Sequence, residues 1–94
     1  MKTIELKDLV GTMLMATDPC YMESYSGRPY GTLTVGKEYE IIDYRGECII
    51  VKDDEGDNHL FTVKADGTFE PWECDVTGKV VEPFAPLRIN IELA

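Results

Sequence analysis

Ninety-four residues, 44% hydrophobic and 29% charged, have the balance of an ordinary globular chain, enough for a single domain over 1–94 and too few for a second core. Eighteen acids against nine bases leave a net charge of −9, which repels phosphate and speaks against direct contact with nucleic acid or an anionic membrane. No run approaches the length of about 18 apolar residues needed for a membrane span.

The N-terminus, Met1-Lys2-Thr3-Ile4-Glu5-Leu6-Lys7-Asp8, places charge where a signal peptide needs an apolar run, so the expected compartment is the cytoplasm. Residues 6–10 hold the one helical candidate, about a single turn long, stopped by Gly11. Residues 13–16 read as a first strand, ended by Thr17-Asp18-Pro19. The stretch 20–34, with Ser24, Ser26, Gly27, Pro29 and Gly31, reads as a long loop, and loops of that length often carry function.

Beyond it the chain is a series of short alternating runs. Residues 38–44 form a second strand with Tyr39 and Ile41 on one face, and Arg45-Gly46 turns it into a third at 47–52, with Ile49 and Val51 inward. The polar turn 53–57 leads to a fourth strand at 59–63, and Asp66-Gly67 supplies a tight hairpin turn. Residues 69–74 form a fifth strand that Pro71 confines to an edge or a bulge. Leu87, Ile89, Ile91 and Leu93 alternate with Arg88, Asn90 and Glu92, the cleanest half-buried pattern in the chain. That strand should pair with the barrel, with the N-terminal residues 3–6, or with the same strand of a second copy in a homodimer.

Five short strands joined by tight turns predict an all-β fold, a small barrel with an extra C-terminal strand. The pattern Leu33, Gly36-Lys37, Tyr39, Ile41, Val51, Asp53-Asp54, Gly56 and Phe61 resembles small SH3-like barrel proteins of bacteriophages and bacteria. The resemblance covers about residues 12–72, the span of a compact barrel. It implies a fold and, because such barrels host many unrelated roles, transfers no functional residue.

Chemistry is thinly represented. Cys48 and the single histidine, His59, fall on neighbouring strands, without a third group to orient them as a nucleophile and base, and the expectation is no catalytic residue. Cys20, Cys48 and Cys74 are odd in number and widely spaced, which suits reduced thiols rather than a disulfide framework or zinc ligands. Asp53, Glu55 and Asp57 imitate the start of a calcium loop, but Gly56 precedes the third acid instead of following it. Neither metal nor cofactor is expected.

Binding has better candidates. Tyr21, Met22, Tyr25, Arg28 and Tyr30 crowd into the 20–34 stretch, and tyrosine and methionine make adaptable contact surfaces for a protein partner. The same tyrosines could instead fold back to close one barrel end. Glu38, Glu40, Asp53, Asp54, Glu55 and Asp57 form a second candidate, an acidic surface. The leading expectation is a phage-encoded, non-enzymatic interaction module that binds a host or self protein through 20–34. One alternative is an acidic nucleic-acid mimic that inhibits a host DNA-binding or defence protein. Another is a small-molecule or nucleotide binder at an oligomer interface.

Overall fold

The computed structural model describes residues 3–17, 21–23, 29–73 and 80–93, except for the side chains of 21–23, 29–32, 72–73 and 81. The fold is all-β and barrel-like, centred on a four-stranded antiparallel sheet in the order β2 (Met13–Met15), β5 (Glu38–Arg45), β6 (Cys48–Lys52) and β7 (Asn58–Thr62). Alternation sets which side chains enter the core. Leu14, Tyr39, Ile41, Ile49, Val51 and Phe61 are buried, as the period of two requires, while their sequence neighbours face outward.

Tight turns join the strands. The β5–β6 turn is Gly46-Glu47, one residue later than expected because Arg45 still pairs with Cys48, and the Asp66-Gly67 hairpin follows β7, with Val63 bridged to Phe69. Past Phe69 the chain forms one more bond to β7, from the Glu70 amide to the Thr62 carbonyl. Pro71 has no amide to continue the ladder. The expected fifth strand is therefore split at Pro71, and Trp72–Glu73 (β8) pairs instead with Val80–Val81 (β9).

The C-terminal region is more deeply built in than an extension to a finished barrel. Thr17 donates to the Pro83 carbonyl and Ala85 to the Met15 carbonyl, which lays residues 83–85 along the outer edge of β2. Phe84 enters the core there, its ring edge-on to Phe61 at 4.9 Å, Phe69 at 5.3 Å and Tyr39 at 6.4 Å. The sheet does not close by a continuous backbone ladder; aromatic rings fill the space between Phe69 and Phe84.

The last strand meets two of its expected partners, the N-terminal residues and the barrel. Thr3–Glu5 (β1) pairs in parallel with Asn90–Glu92 (β10), Ile4 beside Ile91, and the Ile91 amide donates to the Ala65 carbonyl. Ile91 is buried, and Leu87, Ile89 and Leu93 pack against the same core. The turn at Leu6–Leu9 is a 3-10 helix that plugs this end with Leu6 and Leu9. Glu5 and Asp8 cap it reciprocally. Among the described residues, no helix is long and apolar enough to cross a membrane.

The 20–34 stretch departs from the loop expectation. Tyr21–Glu23 (β3) and Pro29–Thr32 (β4) form a bulged two-stranded hairpin, with Tyr21 opposite Thr32 and Met22 opposite Gly31. Short, glycine- and proline-containing strands carry no apolar alternation, so nothing in the residue pattern distinguishes this ribbon from a loop. The chain rejoins the core at Leu33, whose side chain is buried, and re-enters the sheet at Glu38.

Candidate functional site

The Gly-Lys-x-Tyr run enters β5 through a turn in which Gly36, at φ 83°, takes a conformation that a side chain would strain. The Gly36 amide donates to the Ala16 carbonyl, and the Ala16 amide to that of Lys37, so the turn is clipped to the end of β2. From this frame Lys37 and Tyr39 both reach Asp54. Lys37 Nζ donates to Asp54 Oδ1 at 2.7 Å, the Tyr39 hydroxyl donates to the same oxygen at 2.8 Å, and Thr34 Oγ1 donates to Oδ2 at 2.6 Å. The Tyr39 oxygen in turn accepts the Thr34 amide.

These donors, Lys37 first and Thr34 second, hold the Asp54 carboxyl at a pKa of about 2, below its ordinary 3.8. A depressed carboxyl contributes its stability above the unfolded value and loses it as pH falls from 3.8 through 2. Asp54→Asn should cost about 1–2 kcal/mol at neutral pH after solvent screening, and the gap from wild type should close near pH 2. Urea denaturation at a series of pH values measures it; a gap independent of pH would mean that the charge contributes nothing.

Asp53 corrects the expected acidic surface. Its side chain is only 1% exposed. Oδ1 accepts the amides of Glu55 and Asp57, each at 2.9 Å, and Oδ2 meets His59 Nε2 at 2.5 Å. Short polar side chains close turns on their own backbone in this way, so Asp53 builds the β6–β7 hairpin instead of decorating it. The carboxylate of the calcium-like run is thus turned inward, and the described residues contain no group of three acids, histidines or cysteines able to hold a metal.

The register also separates Cys48 from His59. His59 lies opposite Val51, on the inward face, and Cys48 lies opposite Thr62, on the outward face. A nucleophile–base pair between them is geometrically excluded. Cys48 is a free thiol with its sulfur 3.6 Å from Thr62 Oγ1, while Cys20 and Cys74 lie outside the described residues.

What the sheet presents to solvent is a mixed face. Met13 stands opposite Glu40 and Met15 opposite Glu38, all four exposed, the methionines at 48% and 47%. Next along β5 the register shifts between Ile41 and Asp43, and Ile42 is left exposed. The outward side of β6 and β7 continues the face with half-buried Ile50 opposite exposed Leu60. Of the six expected acids, Glu38 and Glu40 belong to this face, and Glu55 and Asp57 are exposed on the β6–β7 hairpin. Asp54 is committed to Lys37, and Asp53 is buried. Two of the six are thereby removed from any phosphate-like array, which counts against the mimic.

No protein family, curated protein or solved structure matches the chain. Its own geometry therefore carries the functional argument.

Of the tyrosine-rich candidates, Tyr21, Met22 and Tyr30 lie on the β3–β4 hairpin with their side chains outside the description, and Tyr25 and Arg28 fall outside the described residues altogether. That hairpin springs from the end of β2 at which Met15 and Glu38 are paired. The exposed pair Met13 and Met15 is the part of the surface that sequence reasoning missed. Its signal is present, since a run Met-Leu-Met read at period two must put either Leu14 or both methionines outside.

Proposed function

We propose that the protein is a non-enzymatic interaction module, an SH3-like barrel encoded by a bacteriophage or bacterium and working in the cytoplasm. It docks a protein partner through the tyrosine-rich β3–β4 hairpin and the adjoining outer face of β2 and β5. The observation that supports this most is the pairing of exposed Met13 and Met15 with Glu40 and Glu38. Thioether side chains are adaptable contact groups, and solvent gains nothing from two of them in one row. Carboxylates beside them on β5 select a partner whose apolar contact surface is rimmed by lysine or arginine.

Charge reversal tests this reading. The partner captured by the wild-type protein from a lysate of its native cells should be lost by the Glu38→Lys/Glu40→Lys variant, which keeps its melting temperature because both side chains are exposed. The wild-type complex should also weaken as salt rises, because rim charges are screened within about 10 Å at 0.1 M ionic strength. A variant that retains the partner in full would refute the outer-face site.

A further inference from the structure

At the far end of β5 from Glu38 lies a groove of about 300 Å³, open to solvent along one side, that the outer-face reading leaves unused. Its origin is the irregularity in β5. Tyr44 pairs with Ile49 and so belongs to the inward side of the sheet, but after the register shift it emerges at the barrel end, 43% exposed. Leu6 of the 3-10 turn and Leu93 beyond β10 line the apolar part of the groove with it, and Glu5, Lys7 and Glu92 supply the charges.

The charges are unbalanced. Glu5 and Glu92 are register partners in the parallel β1–β10 pair, which sets two carboxylates side by side. Lys7 Nζ binds Glu5 at 3.1 Å, and that contact raises the Lys7 pKa above its ordinary value. Among the described residues Glu92 has no ion-pair partner. Arg45, the residue after Tyr44, pairs with Cys48 on the outward face, and neither it nor Arg88 lines the groove. An aromatic ring, an apolar floor and one uncompensated carboxylate therefore converge on a single open slot.

We propose that this groove receives an arginine side chain from a protein partner, separately from the outer-face site. The guanidinium lies against the Tyr44 ring and bonds the Glu92 carboxylate, and its methylene stem rests on Leu6 and Leu93. Arginine suits the slot better than lysine because a planar, weakly hydrated cation stacks on an aromatic face while still offering paired donors to a carboxylate. A side chain tethered to a partner suits it better than a free amine, because an open groove encloses too little of a small molecule to hold it.

The probe is a capped Gly-Arg-Gly tripeptide titrated into the isotopically labelled protein and followed by amide and tyrosine-ring shifts. Saturable shifts are expected at residues 5–7, 44–46 and 92–93, with a dissociation constant on the order of 10 mM. Glu92→Gln and Tyr44→Ala should each weaken binding about 3- to 10-fold, and unchanged amide spectra elsewhere would show that the variants are folded. The lysine tripeptide should bind more weakly, and the uncharged citrulline tripeptide should not bind. Equal binding of the citrulline peptide, or shifts confined to Glu38 and Glu40, would overturn the proposal. Methylguanidinium binding as tightly as the tripeptide would overturn the assignment to a protein side chain.

Discussion

Phe84→Ala should bring the protein to the edge of unfolding, with a loss of about 3–5 kcal/mol, the range for truncating a buried aromatic. Phe84 is 2% exposed and stands edge-on to three other aromatic rings, Tyr39, Phe61 and Phe69. It occupies the place where the backbone ladder is interrupted, so its ring substitutes for hydrogen bonds as the link between β2 and the Val63–Phe69 hairpin. Small domains have total stabilities of about 5–15 kcal/mol, so one such loss consumes much of the whole. Phe84→Leu should keep most of the packing, at a cost of about 1–2 kcal/mol. Urea titrations of the two variants measure both numbers. If Phe84→Ala unfolds at the wild-type midpoint, residues 83–85 do not belong to the core.

Gly67→Ala should be comparably severe, at about 3 kcal/mol or more, for a different reason. Gly67 sits at φ 84°, and a Cβ there would run into the backbone carbonyl oxygens of Leu87 and Ile89. The C-terminal segment crosses the hairpin at this point, with the Leu87 amide donating to the Gly67 carbonyl at 2.8 Å. A methyl group would lift that segment and weaken both this bond and the one from Ile91 to Ala65. Gly46→Ala is the control. It too has a positive φ, 60°, but nothing lies within 4 Å of its Cβ, so only backbone strain of about 1 kcal/mol should appear. The difference between the two substitutions measures the crossing itself. Equal costs would mean that the C-terminal strand does not lie against the hairpin.

The central strands were legible because each has one wet and one dry face. Tyr39, Ile41, Ile49, Val51 and Phe61 are all buried, as their alternation predicts. The apolar stripe from Leu87 to Leu93 was legible for the same reason, although the ladder with β1 is confined to Asn90–Glu92. Its partners were left open among three candidates, because a parallel pair between chain ends leaves no mark in local pattern. Phe84 gave no signal either; it is a lone aromatic between Pro83 and Ala85, in a segment without periodicity. Asp53 shows the converse, a residue polar enough to be assigned to the surface but buried because its own hairpin supplies the donors. For the site, the sequence pointed to residues 20–34 and to a row of acids. The two methionines opposite Glu40 and Glu38 became visible only once β2 was placed beside β5.

That juxtaposition is the central claim, and site-specific photo-crosslinking in the native cells tests it most directly. A benzophenone side chain at Met15 should give one dominant adduct with a protein partner, and the same group at Asp66, exposed on the turn crossed by the C-terminal segment, should give none. Adding Glu38→Lys and Glu40→Lys should abolish the Met15 adduct. Adducts of equal yield from both positions, or from Asp66 alone, would contradict docking through the outer face of β2 and β5.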